Sequence, residues 1–106
     1  MEEYNKVTMF DYTNWDVNRL SDHLAKYIKY KDDCYCLIIH KNDWDGYAEH
    51  SWFVYYAKEN VTSLNIQKPL IKVSGSTLHK ALINMAIAYY QFKEENADNS
   101  DYCWKL

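Results

Sequence analysis

Cys34, Cys36, His40 and His50 crowd into one short segment of the chain, and thiolate and imidazole are the ligands zinc prefers. Spacing decides against a shared ion. A strand rises about 3.3 Å per residue, so Cys36 and His40 stand roughly 13 Å apart. Zinc bonds of about 2.0–2.3 Å cannot close that gap. Alternation with Tyr35, Leu37 and Ile39 instead marks Cys34 and Cys36 as small apolar residues packed on a strand. Asp43, Asp45 and Gly46 raise the idea of a calcium loop, which needs a Glu at its twelfth position. Counted from Asp43, that position is Val54, so a tight turn explains the run. Ser76, Thr77 and His79 bring hydroxyls and an imidazole close along the chain, but a helix cap accounts for the first two. The sequence contains no Walker A loop, no dinucleotide Gly motif and no nucleophile elbow, its two glycines, Gly46 and Gly75, lying far apart. No cofactor or metal is expected, and the chain reads as non-enzymatic.

The elements that carry these residues follow from periodicity. Thr13 followed by Asp16 fits a helix opening, and Val17, Leu20, Leu24, Tyr27 and Ile28 recur at three- and four-residue spacing. The pattern predicts a helix over 14–30, with Lys26, Lys29 and Lys31 near its negative end. Residues 34–40 and 47–57 are rich in residues that favour pleated surfaces, and the Asp-Gly turn between them predicts a hairpin. Centring that turn on Trp44 places Cys34, Cys36, Ile38 and His40 on one face with Ala48, His50, Trp52, Val54 and Tyr56. Tyr35, Leu37 and Ile39 then share the other with Tyr47, Phe53 and Tyr55. A short third strand over 70–73 belongs at an edge, because Pro69 cannot donate to a ladder. Ser74 to Thr77 supply cap chemistry for a second amphipathic helix over 77–93, whose Ala81, Ala86 and Ala88 permit close approach to a sheet. The expected fold is α+β: an antiparallel hairpin or three-stranded sheet with two flanking amphipathic helices, in the order α-β-β-(β)-α.

A chain of 106 residues supports a single core, assigned to residues 1–93. The net charge of −3 has one address. Glu94, Glu95, Asp98 and Asp101 stand against Lys105 alone, while acids and bases before them balance, so 94–106 reads as a solvated acidic tail. Arg19 is the sole arginine and there is no basic stripe, which argues against direct nucleic-acid binding. No apolar run reaches the roughly 20 residues of a membrane helix, and the N-terminus lacks the order of a secretory signal. An odd count of three cysteines fits reduced thiols, so a cytoplasmic location is expected.

Two stretches carry a resemblance. The helix entering the hairpin, DYTNWDVNRLSDHLAKYIKY, and the closing IKVSGSTLHKALINMAIAYYQF together make the chain similar, over residues 12–92, to the phage ABA sandwich domain. That is a family of small phage and prophage proteins. The resemblance implies a phage or prophage origin, a bacterial cytosol, and inhibition of host machinery, including defence of the CRISPR type, rather than enzyme activity. It supplies no catalytic residues.

The aromatics point the same way. Eleven Tyr, four Trp and three Phe make up 17% of the chain, more than a body of this size readily buries. Tyr and Trp are favoured interface anchors. The expected interaction surface is Asp43, Trp44, Asp45 and Tyr47 at the hairpin tip, with Tyr102 and Trp104 in the tail. The partner would be a host or phage protein, or a second copy of the chain. The alternative is a small-molecule or nucleotide binder, which requires a concave, partly polar pocket lined by Tyr and His between sheet and helices.

Overall fold

The computed structural model describes residues 11–41, 52–58 and 69–104. A short 3-10 helix, Asp11–Asn14, leads into helix α1, Val17–Leu24. Strands β1, Ile28–Tyr30, and β2, Asp33–Lys41, follow, and then β3, Trp52–Lys58, and β4, Ile71–Gly75. Helix α2, Leu78–Glu95, precedes the last strand, β5, Tyr102–Trp104. The five strands form one sheet in the order β4-β3-β2-β1-β5, with every neighbouring pair antiparallel. The α+β class is as expected, but the sheet is larger and the helices are arranged differently. Among the described residues, no helix is long and apolar enough to cross a membrane.

The first helix is half the expected length. Its N-cap is Asp16, whose carboxylate accepts from the Arg19 N–H at 2.8 Å, whereas Thr13 belongs to the 3-10 turn before it. It stops at Leu24, and Ile28 goes into β1 instead. Ile28 suits the helical period from Leu24 equally well, but as a strand residue it becomes fully buried between β2 and β5. Tyr30 then meets Tyr102 with the rings tilted by 48° and their centroids 4.6 Å apart. Tertiary packing overrides the local pattern.

The register also departs from expectation. A turn centred on Trp44 would set His40 opposite Ala48, whereas His40 opposes Phe53, a shift of five residues. Any odd shift acts on the faces as a shift of one does. Leu37 opposes Tyr56 and Ile38 opposes Tyr55, so odd positions of β2 share a face with even positions of β3. A one-residue slip exchanges the faces of a whole strand. Here it puts Val54 and Tyr56, both fully buried, beside Leu37, on the side facing the helices. Phe53, Tyr55 and Ala57 fall on the outer face with Cys34, Cys36 and His40.

The helices do not flank the sheet from two sides. Helix α2 packs on β3 and β4, while α1 packs on α2 and joins the same core cluster through Leu20 and Leu24. Thr77 caps α2, accepting from the Lys80 N–H at 3.0 Å. Ala81 and Ala86 are fully buried, as the close approach to the sheet requires. Strand β4 lies at a sheet edge directly after Pro69, in line with the sequence reading. The stretch expected as a solvated tail contributes the opposite edge, because Ile28, Lys29 and Tyr30 offer β5 a free ladder.

Candidate functional site

Four local devices bring α1, α2 and β5 around a common space. The Asp16 cap fixes where α1 begins. His79, in the first turn of α2, donates from Nε2 to the Trp15 carbonyl at 2.7 Å and ties α2 to the entrance of α1. The Asn96 amide closes α2 by donating to the Phe92 carbonyl at 2.9 Å. Asn99 then accepts from the Asp101 N–H at 2.9 Å, and the Asp101 carbonyl accepts from Lys31 N–H at 2.9 Å. Those bonds deliver β5 to β1 and turn Trp104 toward the helices.

Between these elements lies a cavity of about 380 Å³. Tyr12, His23, Tyr89, Tyr90 and Trp104 supply its aromatic wall, and Lys26, Lys93 and Glu94 its charged groups. The size is within the roughly 300–1,000 Å³ range of small-molecule sites. Ring-on-ring contacts build the wall. Tyr12 meets Trp15 edge-on at 5.2 Å, Trp15 meets His23 edge-on at 5.1 Å, and Tyr89 meets Trp104 edge-on at 6.1 Å. Edge-to-face contacts of this kind hold ring orientation as well as area. Arg19 covers the outside of Trp15, 3.9 Å above its ring.

Burial and like charge shape the electrostatics. His23 is pushed down to about 4, first by burial and then by the charges of Lys26, Lys93 and Arg19, so it is a neutral imidazole at pH 7. Its Nε2 stands 3.5 Å from the Tyr12 hydroxyl. Burial, with help from Tyr90, Tyr89 and Asp11, pushes Tyr12 up to about 12. Lys26 is lowered by burial and by Lys93, and Tyr89 is raised by burial. The Tyr89 hydroxyl is buried and has no hydrogen-bond partner among the described residues. Buried polar groups are nearly always paired, so an orphan beside a cavity calls for a reason.

The residues nominated from sequence divide into three groups. Asp43, Trp44, Asp45 and Tyr47 lie outside the described residues, as does His50. Tyr102 and Trp104 are half-buried and stack on each other at 5.3 Å, with Phe92 edge-on to both, and Trp104 forms part of the cavity wall. Cys34, Cys36 and His40 share the outer sheet face, away from the cavity. Thr77 and His79 are engaged in the cap and in the bond to Trp15.

Tyr12, His23, Lys26, Tyr89 and Lys93 were not among the site residues expected from the sequence. Two signals were present. Tyr89 and Lys93 are four residues apart on one helix and share a face. His23 and Lys26 stand three apart at the end of another. What brings the two pairs together is the packing of α1 on α2, which no spacing discloses. No protein-family model, curated protein or solved structure matches the chain.

Proposed function

We propose that the protein is a small-ligand binding protein, and that the cavity between α1, α2 and β5 holds a small planar molecule. One observation carries the reading: an aromatic-walled cavity of about 380 Å³ beside a buried Tyr89 hydroxyl that lacks a partner. Trp104 and the tyrosines offer flat apolar surface for stacking. Neutral His23 offers a donor or an acceptor without the desolvation cost of a charge. A few placed polar groups in an apolar wall are the usual composition of a site that fixes a ligand's orientation.

The test uses a neutral fluorescent probe, N-phenylnaphthylamine, whose emission rises on transfer out of water. It should bind at one site per chain. Ala97 lines the cavity and is itself exposed, so Ala97→Trp fills the space without disturbing the core. That variant should weaken the probe at least about tenfold while unfolding at the wild-type temperature. Absence of saturable binding, or equal binding by Ala97→Trp, would overturn the reading.

A further inference from the structure

Lys26 and Lys93 enter the same cavity from different elements, one from the link after α1 and the other from the last turns of α2. Both are half-buried, and neither ammonium forms an ion pair among the described residues. Lys93 stands 5.9 Å from the Trp104 ring, so its charge rests against the aromatic wall. The two cations feel each other, since Lys93 adds to the lowering of Lys26 that burial begins. Both also act on His23. Glu94 is the one carboxylate of the lining among the described residues, against two lysines. Like charges held together in a partly dry wall are unfavourable until something of opposite sign arrives. A neutral occupant would leave that repulsion in place.

We infer that the ligand is a planar aromatic anion, its ring body against Trp104 and the tyrosines and its acidic group met by Lys26 and Lys93. The inference rests on the cavity being a binding site, as proposed above, and adds the charge of what it binds. Carboxylate, sulfonate and phosphate share the chemistry required, since each offers oxygen acceptors to an ammonium donor. The two lysines select the sign, and the wall selects the flat apolar body.

Two probes of nearly the same shape separate this inference from the reading beneath it. Anilinonaphthalene sulfonate differs from N-phenylnaphthylamine chiefly by its anionic group. The wild-type protein should bind the sulfonate at least about tenfold more tightly than the neutral probe. The double variant Lys26→Met and Lys93→Met keeps both apolar stems and should bring the two probes to similar affinity, the sulfonate losing at least about tenfold more than the neutral probe. Raising the salt concentration on the unmodified protein should narrow the gap in the same direction, which requires no variant to fold. Equal affinity of the two probes for the wild type, with both excluded by Ala97→Trp, would overturn the anion inference and leave the binding site standing. A sulfonate preference that survives both the lysine changes and high salt would also overturn it. Failure of both probes to bind would instead sink the cavity reading.

Discussion

The Tyr56 hydroxyl donates to the Leu24 carbonyl, joining β3 to the last turn of α1. Tyr56 is fully buried, and burial, with the nearby Tyr89, pushes its pKa well above the usual phenol range. The bond therefore has a neutral donor around neutral pH. It anchors the end of α1 from which Lys26 emerges. Tyr56→Phe removes the donor and keeps the ring, which packs 5.6 Å from Tyr89. The Leu24 carbonyl still accepts from the Lys26 N–H at 2.7 Å, so it is not left orphaned. The expected loss is about 1 kcal/mol, read as a lower denaturant midpoint with an unchanged slope. Tyr55→Phe, on the outer face, should cost less. An equal cost at the two positions would argue that the bond to Leu24 contributes nothing.

Gly75 sits under the first turn of α2. A Cβ built there would lie 2.6 Å from the Ala81 nitrogen and 2.9 Å from its Cα. Those atoms are helix backbone and cannot swing aside as a side-chain tip would. The Asn84 amide, donating to the Ser74 carbonyl at 2.8 Å, holds the helix against the strand one turn further along. Gly75→Ala must therefore lift α2 from β4, at about 1–3 kcal/mol, and lower Tm by about 10 °C. A variant that melts with the wild type would show that the contact is not as tight as this geometry makes it.

Lys31 is the one non-glycine residue with positive φ among the described residues, at 55°, in the turn between β1 and β2. An L side chain in that region costs roughly 1–2 kcal/mol. Glycine removes the cost and keeps the backbone N–H that bonds to Asp101, although its unfolded chain is more flexible. Lys31→Gly should stabilise by about 0.5–1 kcal/mol in chemical denaturation. Destabilisation would mean that the lysine side chain, 5.4 Å from the Tyr30 ring, contributes more than the strain takes away.

How far the sequence discloses this fold depends on which residues answer to local rules. Thr77 capping an Ala-rich amphipathic run identifies α2 nearly to the residue, because cap and period agree there. Pro69 places β4 at an edge for a reason that needs no partner. Ile28 and Trp104 answer to each other instead. They share a sheet only because chain segments some seventy residues apart are brought side by side, and period and charge along the sequence carry no trace of that pairing. The β2–β3 register shows the same limit, since both faces of the hairpin are apolar enough to suit either alignment. The cavity is one step further removed. Its lining comes from the 3-10 helix, α1, α2 and β5, so its lysines could be read beforehand only as dipole partners and surface charges.

His23 makes the cavity wall sensitive to acid. In the folded protein it is held down to about 4, first by burial and then by Lys26, Lys93 and Arg19, against 6.5 in the unfolded chain. Between these values the unfolded chain takes up a proton that the folded one refuses. The stabilisation is thus fully present above pH 6.5, is lost as pH falls toward 4, and changes no further below that. Solvent screening at this partly exposed ring reduces the effect to about 1–2 kcal/mol. His23→Phe retains ring contact with Trp15 and Tyr89, 5.1 and 6.4 Å away, and cannot titrate. Unfolding free energies of both proteins at pH 7, 5.5 and 4.5 should diverge, with the wild type losing more on acidification. Carboxylates that titrate in the same window act on both proteins and cancel in the difference. Parallel pH profiles would show that His23 is protonated as readily in the fold as out of it, and that the positive charge assigned to Lys26 and Lys93 does not reach it.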